Sequence, residues 1–430
     1  MSPTAILICI IVVLAVLELP LFAVIAGLST VCLYFIDHDW LALQMILIEM
    51  NRLASMPVLV ALPLFTLAGT ILTATTAPRR IMDFLRAAVG WLPGGLAIAA
   101  LCSCAFFTAL TGASGVTIVA VGSLLYPILR QQNYPRNFTL GLLTTSGSLG
   151  LLFPPSLPVI LYGVIAQIDI TDIFKAALIP GVLLIAALSV YAIVYRMVGG
   201  AQLPVSPGGQ ALGLGASFKK TLWDWPLLIL LVGGVYGGFV TIAEVSALIL
   251  VYVIVVACFV LKEIDFWRQL PGLMIESAML SGAIIVILGF ALGFTGYLVD
   301  EQIPNRILDY LTGLTQNRIA FLAGLNIFLL AVGCIMDIFS AIMIIVPIVV
   351  PIAAKYGVDP IHLCVIFLVN LEIGYSTPPV GINLFIASLK FRQPVTTLYR
   401  ASLPYLMLLL VLLVLITYVP ALSLWILGPH

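Results

Sequence analysis

Long apolar runs dominate the chain, and short polar or proline- and glycine-rich interruptions separate them. Many runs approach the length of about 20 residues that a membrane-spanning helix needs, so the pattern predicts an all-α polytopic membrane protein. Two runs, 94–129 and 319–352, are too long for one span at about 1.5 Å per residue. We predict that each folds back as a re-entrant helical hairpin, with tips near 111–115 and 333–340.

Pairs of adjacent prolines interrupt two further apolar runs, 138–166 and 361–388. Proline has no N–H and disfavours helical backbone at the residue before it, so each run must break as a discontinuous helix. The same sequence offset relates Pro154 to Pro378, Gly150 to Gly374 and Pro127 to Pro351. Matched interruptions in two halves of a membrane protein indicate a transporter whose binding site lies at the breaks.

Composition supports the membrane class. The chain is 63% hydrophobic and 8% charged, whereas a soluble domain has about 25% charged residues. Its net charge of zero offers no basic surface for nucleic acid. The seven cysteines are scattered through apolar runs, a distribution typical of small buried side chains rather than a disulfide or zinc framework.

Basic residues favour one orientation in the membrane. Placing 79–95, 130–137, 196–224, 262–272 and 390–400 on one face collects 13 of the 18 Lys and Arg residues. The positive-inside rule makes this face cytoplasmic and leaves both termini periplasmic. In this arrangement the two hairpins enter from opposite faces, so the halves form an inverted repeat.

A broken membrane helix leaves unpaired carbonyl groups at the end of its first half and unpaired N–H groups at the start of its second. The carbonyl end suits Na⁺ and the N–H end suits a carboxylate. We therefore expect at least two Na⁺ ions, one in each half. The predicted ligands are Thr111, Gly112, Ser114, Gly150, Phe153 and Ser156 in the first half, and Gly333, Gly374, Thr377 and Val380 in the second.

No Lys or Arg is predicted deep in the membrane, so helix N-termini, hydroxyls and amides would hold an anionic substrate. The candidate substrate residues are Ser148, Asp337, Ser340, Asn370, Glu372 and Asn383. Asp337 and Glu372 either bind a cation or proton, or brace the hairpin through hydrogen bonds. Glu244 forms a capping box with Thr241, and Glu276 is expected at the membrane interface, near the start of its helix.

An enzyme alternative comes from Gly112-Ala-Ser114-Gly115, which matches the Gly-x-Ser-Gly loop of intramembrane serine proteases. Such enzymes need a histidine as base, and none of the three histidines is predicted deep in the membrane. The chain also lacks the metalloprotease His-Glu-x-x-His motif and the Walker A motif. These observations favour a protein that is not an enzyme.

Four segments resemble the large, DctM-like membrane subunit of the tripartite ATP-independent periplasmic (TRAP) transporters. They are Phe106–Gly122, Gly147-Ser-Leu-Gly-Leu-Leu-Phe-Pro-Pro-Ser156, Gly233-Gly-Val-Tyr-Gly-Gly-Phe-Val-Thr-Ile-Ala-Glu244, and Met336-Asp337 with Asn370-Leu-Glu-Ile-Gly…Thr-Pro-Pro-Val-Gly-Ile-Asn383. The similarity covers nearly the whole chain. Phe153 departs from the aliphatic residue of many relatives, and Val116-Thr117 departs from their Ala-Thr.

The resemblance implies an inverted-repeat, elevator-type fold in the bacterial inner membrane, with Na⁺-driven import of organic acids such as sialic acid or C4-dicarboxylates. It implies two protein partners, a small four-helix membrane subunit and a periplasmic substrate-binding protein. It also carries Na⁺-binding roles to Gly333, Gly374, Thr377 and Val380 and to the first hairpin. A related symporter of Na⁺ or H⁺ with carboxylates, working without a binding protein, remains the alternative.

The resulting domain organisation has four parts. Scaffold helices occupy 1–76, and the first repeat occupies 77–200, with an interfacial arm helix, a hairpin over 94–129, a broken helix over 138–166 and a helix over 176–195. A linker loop and scaffold helices occupy 201–273. The second repeat, 274–430, has helix 274–299, an arm helix, hairpin 319–352, broken helix 361–388 and final helix 403–427.

Overall fold

The computed structural model describes residues 42–198, 214–237, 240–300, 316–378 and 381–428, besides four isolated positions, and the backbone alone for 291–300. Within these ranges every regular element is helical, so the predicted all-α class is confirmed. Six of the described helices are long and apolar enough to span a membrane, or up to eight spans if each bent pair is one. The predicted helices before residue 37, most of the linker loop, the second arm helix and Val380 lie outside the described residues.

The first part of the described chain contains eight helices, which we number in order. They are α1 (Ala42–Ala54), α2 (Ala61–Ala74), α3 (Ala77–Val89), α4 (Gly95–Thr111), α5 (Ser114–Gln131), α6 (Arg136–Ser146), α7 (Leu157–Ala166) and α8 (Ile170–Val198). Helix α1 lies within the predicted scaffold region, 1–76. It packs along a later helix, where its Met50 side chain lies beside Gly289.

Ten more helices follow in the described ranges. They are α9 (Leu214–Lys220), α10 (Trp225–Gly237), α11 (Ile242–Ile254), α12 (Leu270–Asp300), α13 (Arg318–Ile335), α14 (Ile338–Lys355), α15 (Pro360–Gly374), α16 (Ile382–Phe391), α17 (Val395–Tyr418) and α18 (Ala421–Leu424). Helix α17 ends before the predicted limit of 427 because Pro420 follows its last turn. Thr241 and Glu244 form the capping box that starts α11.

Two pairs of helices are joined by very short turns. Between α4 and α5, Gly112 adopts left-handed backbone with φ of 65° and Ala113 is extended. Between α13 and α14, Met336 and Asp337 are both extended. A side chain rarely adopts positive φ without strain, which explains the glycine at the first turn.

Both proline-containing runs are interrupted in the structure. The first continues from α6 into a short 3₁₀ helix, Leu149–Leu152, and then bends by 43° into α7. The second ends α15 at Gly374, and α16 begins at Ile382. The interruptions follow from the missing N–H groups of the prolines and the restricted residues before them.

The two halves of the chain interlock. Helix α16, which follows the second break, packs on α5, while α7, which follows the first break, packs on α14. Helix α6 also runs along α17. Residues at both turns and both breaks contribute to the main apolar core, while Ile118 on α5 packs with Leu384 and Ala387 on α16 in a second, smaller core.

Helices α2 and α3 meet at an angle of 74°. Arg80 on α3 holds this bend, because its guanidinium donates to Asp224 Oδ2 at 3.0 Å and Oδ1 at 2.9 Å, and to Glu263 Oε1 at 2.6 Å. Glu263 also accepts from the backbone N–H of Thr76 at 2.9 Å. Burial raises the pKa of Asp224, and the hydrogen bonds from Arg80 oppose that rise.

Candidate ion and substrate site

Glycines bring each helix break against a neighbouring helix. A Cβ atom at Gly150 would lie 2.1 Å from the carbonyl oxygen of Ala105 and 2.4 Å from the backbone N of Ala109. A Cβ atom at Gly374 would lie 2.6 Å from Gly333 Cα. Only glycine permits such backbone contact, so each break touches the end of the helix that leads into a turn.

The first break is lined by buried hydroxyl groups that the sequence alone did not single out. Thr108 Oγ1 lies 2.8 Å from Thr117 Oγ1 and 2.7 Å from the carbonyl oxygen of Gly147. Both threonines are fully buried. Thr108 lies one turn before Thr111, and that spacing was the signal that could have identified it.

The two halves meet through a hydrogen bond between side chains far apart in sequence. Ser114, the first residue of α5, donates from Oγ to Asn383 Oδ1 at 2.7 Å. Asn383 is fully buried, and its Nδ2 has no hydrogen-bond partner in the described part of the chain. One candidate Na⁺ ligand and one candidate substrate residue are therefore brought into direct contact.

Asp337 caps the N-terminus of α14. Its Oδ1 accepts from the backbone N–H groups of Phe339 at 3.0 Å and Ser340 at 3.1 Å, and its Oδ2 accepts from the Ser340 hydroxyl. The sequence offset relates Asp337 to Ala113, and α5 accordingly begins without a side-chain cap. The two turns therefore differ, since the N-terminus of α14 is neutralised internally and that of α5 is not.

Several carbonyl groups at the breaks already accept hydrogen bonds. The backbone N–H of Thr377 donates to Gly374 O at 2.9 Å, and that of Ser156 donates to Phe153 O at 2.9 Å. Thr377 Oγ1 donates to Ile373 O at 2.8 Å. Ile373 O also accepts from the backbone N–H of Ser376 at 3.0 Å, so both of its lone pairs are used, whereas Gly374 O and Phe153 O each retain one acceptor site.

A cavity of about 560 Å³ lies where the two turns approach each other. It is lined by Gly112, Ala113, Ser114, Gly115, Val116, Val119, Ala120, Leu151, Glu276, Asp337, Ile338, Phe339, Tyr375, Ile382 and Ile386. Of the candidate residues, Gly112, Ser114 and Asp337 reach its wall. Glu276, which the sequence placed at the membrane interface, joins them from α12.

Other candidates face away from this cavity. Asn370 donates from Nδ2 to Asn326 Oδ1 at 2.7 Å, and Asn326 in turn donates to Thr417 Oγ1 at 3.0 Å. Ser148 donates to the carbonyl oxygen of Thr145 at 3.3 Å. The ring of Phe153 packs on Gly181, beside a separate apolar cavity of about 230 Å³.

Three buried polar side chains at the breaks have no partner within the described ranges. They are Ser156 and Ser376, each through Oγ, and Glu372, through both carboxylate oxygens. Ser156 follows the first proline pair and Glu372 precedes the second. Burying a polar group without a hydrogen bond costs free energy, so each is a plausible position for a ligand or proton.

Ser114 is not paired with a histidine. Its hydroxyl donates to Asn383, while His362, the one histidine in the described ranges, is buried with Nδ1 3.1 Å from Ser423 Oγ and Nε2 3.3 Å from Thr417 O. The carbonyl oxygen of Thr417 can only accept, so Nε2 carries a proton. This geometry lacks the base that a serine nucleophile requires.

Comparison with known proteins gives a consistent result. The chain is 37% identical over 400 residues to the C4-dicarboxylate TRAP transporter large permease protein DctM of Pseudomonas aeruginosa, covering 93% of this chain and 92% of that protein. It is 34% identical to the isethionate TRAP transporter permease protein DctMQ of Oleidesulfovibrio alaskensis, covering 89% of this chain and 60% of that protein.

Its fold is similar to that of the Alcanivorax borkumensis YdaH transporter, with a TM-score of 0.65 at 14% identity and 89% of each chain covered. A family model described as "Tripartite ATP-independent periplasmic transporter, DctM component" matches residues 8–422. The family consists of transporter permeases, which excludes the protease alternative. The chain therefore belongs to the DctM component family of the tripartite ATP-independent periplasmic transporters.

Proposed function

We propose that this chain is the permease of a Na⁺-coupled importer that carries an organic acid anion across the inner membrane. The observation that carries the proposal is the convergence of two helix breaks and two helix turns on one cavity. Backbone groups released at such breaks are the usual means of binding ions and carboxylates at membrane depth.

The residues present fit a hard monovalent cation. Oxygen donors suit such ions, and the first break offers the unpartnered Ser156 hydroxyl together with backbone carbonyls that keep a free lone pair. In the first half, Thr111, Gly112, Ser114, Gly150 and Phe153 would complete the set. In the second half, Gly333, Gly374 and Thr377 would do so, together with Val380, which lies outside the described residues.

The substrate class follows from the uncapped N-terminus of α5. Gly115 and Val116, the second and third residues of α5, line the cavity, and no side chain caps this helix, so their backbone N–H groups would donate to a carboxylate. A sialic acid or a C4-dicarboxylate satisfies this requirement. The name of the 37% identical relative favours the C4-dicarboxylate class, and that of the second relative favours a small sulfonate.

We further propose that transport is an elevator motion. Helices α5, α7, α14 and α16 interlock across the two halves, so the turns and breaks are suited to move as one body. The bend between α2 and α3, held by Arg80, would connect that body to the scaffold. Substrate would arrive from a periplasmic binding protein, with a small four-helix subunit completing the scaffold.

The test is reconstitution of the chain with its small membrane subunit in proteoliposomes, with the cognate binding protein outside. Radiolabelled succinate, isethionate and N-acetylneuraminate are supplied separately under an inward Na⁺ gradient. We expect uptake of one of these anions, and loss of that uptake when K⁺ replaces Na⁺. Uptake that persists without Na⁺ would refute the coupling, and uptake that persists without the binding protein would support the simpler symporter. Absence of uptake for all three anions would refute the substrate class.

A further inference from the structure

Glu276 is the one charged residue that the scaffold contributes to the central cavity. Fourteen of the fifteen residues at the cavity wall come from the two turns, the two breaks and the helices that start there. Glu276 instead belongs to α12, which the sequence assigned to the second repeat. In the structure α12 packs mainly on the scaffold helices α1 and α2, with a smaller contact to α14, so we group it with the scaffold. It therefore faces the candidate substrate site from a different part of the molecule.

No structural role accounts for this carboxylate. It lies in a candidate span, Leu270–Phe290, and is the only acidic or basic side chain between 271 and 299. It has no hydrogen bond or ion pair in the described ranges, and it is exposed to the cavity. Acidic residues in membrane spans usually face a water-filled cavity and mark substrate or ion pathways, and Glu276, about two turns into α12, faces this cavity.

Glu244 on the preceding helix, α11, shows the contrast. It also lies near the start of an apolar helix, but its carboxylate accepts from the backbone N–H of Thr241 at 2.7 Å and closes a capping box. It does not reach the cavity. Capping explains Glu244, and no such contact explains Glu276.

We infer that Glu276 is a positioning residue that promotes release of the anion on one side of the membrane. Its negative charge repels an organic anion in the cavity, and because it belongs to the scaffold it does so only in the state in which the cavity faces α12. The positive-inside pattern places the start of α12 on the cytoplasmic face. This inference rests on the proposed anion import and elevator motion.

The size of the effect follows from Coulomb's law. We take the carboxylate of Glu276 and the substrate anion as unit charges about 8 Å apart. Effective dielectric constants from about 20, near a protein surface, to about 80, in water, then give a change in anion affinity of about three- to thirtyfold. A change of that size on one face is large enough to bias release without abolishing binding.

The decisive experiment uses Glu276→Gln, which keeps the side-chain shape and removes the charge. The matched control is Glu244→Gln, because glutamine retains a capping box while removing a carboxylate from the preceding helix. Glu276→Asp retains the charge at the cavity. Each variant is reconstituted in proteoliposomes of one orientation with whichever anion the unmodified protein transports.

We expect Glu276→Gln to lower the KM on the cytoplasmic face three- to thirtyfold in counterflow, with the KM on the binding-protein face unchanged. Glu276→Asp and Glu244→Gln should both keep the unmodified values. Equal shifts of KM on both faces, or no shift on either, would overturn the inference. Normal uptake by the unmodified protein in that case would still uphold the proposed function. Failure of the unmodified protein to transport any anion would instead refute that function.

A measurement on the unmodified protein covers the case in which Glu276→Gln does not fold. Added choline chloride screens charges exposed to water, so the cytoplasmic KM should fall as ionic strength rises. A cytoplasmic KM that rises or stays constant would overturn the inference.

Discussion

Replacing Gly374 with alanine tests whether the contact between the second break and α13 is needed for Na⁺ coupling. The added Cβ would lie 2.6 Å from both the Cα and carbonyl C of Gly333, and 3.0 Å from the backbone N of Cys334. All three atoms belong to backbone, so no side-chain rotation relieves the overlap. The end of α15 and the end of α13 must therefore separate.

The required movement follows from these distances. Non-bonded carbon atoms are at their best separation at about 3.5 to 4.0 Å, so the two backbones must move apart by about 1 Å. Overpacking of this kind typically costs about 1 to 3 kcal/mol of folding free energy. Gly333 and Gly374 are both candidate Na⁺ ligands, so a movement of about 1 Å should also weaken Na⁺ binding. A loss of about 1.4 kcal/mol in Na⁺ binding, within the range of that cost, raises the Na⁺ concentration for half-maximal uptake about tenfold or more.

The assay is Na⁺-dependent uptake in proteoliposomes, together with thermal unfolding of the purified protein. Gly324→Ala is the matched control, because Gly324 lies on α13 itself and a Cβ there meets nothing within 4 Å. Alanine is a better helix former than glycine, so this control should be neutral or slightly stabilising. A Gly374→Ala protein with unchanged Na⁺ dependence would refute the assignment of this contact to the ion site, even if its melting temperature falls.

Three other substitutions test separate contacts. Arg80→Ala should lower the free energy of unfolding by about 2 to 4 kcal/mol, because two partly buried carboxylates lose their partner; unfolding at the unmodified temperature would contradict this. Ser114→Ala and Asn383→Ala remove the two partners of one hydrogen bond, so their losses of stability should differ from additivity by about 1 kcal/mol in a double-mutant cycle measured by thermal unfolding. Additive losses would show that this hydrogen bond contributes nothing. Thr108→Val removes the hydroxyl 2.7 Å from Gly147 O and should weaken Na⁺ dependence at nearly constant shape; unchanged uptake at low Na⁺ would exclude this hydroxyl from the ion site.

Several features were readable from the sequence because they depend on local chemistry. Apolar runs of membrane length determine an all-helical membrane protein, since the backbone must satisfy its own hydrogen bonds in lipid. Proline pairs determine interruptions, and the structure has them between α6 and α7 and between α15 and α16. The Thr241–Glu244 capping box likewise depends only on residues three positions apart. Family membership was also recognisable, because the motifs around the second break are contiguous in the chain.

What only the tertiary structure decided is the direction in which each side chain points. Apolar residues surround α15 on every side, so its sequence gives no indication of which face meets α13. Asn370 was expected at the substrate site, but it pairs with Asn326. The pairing of Ser114 with Asn383 depends on packing between α5 and α16, which are distant in sequence. Glu276 reaches the cavity for the same reason. In a membrane-buried helix hydrophobicity no longer distinguishes inside from outside, so the rotation of the helix about its axis is set by its neighbours.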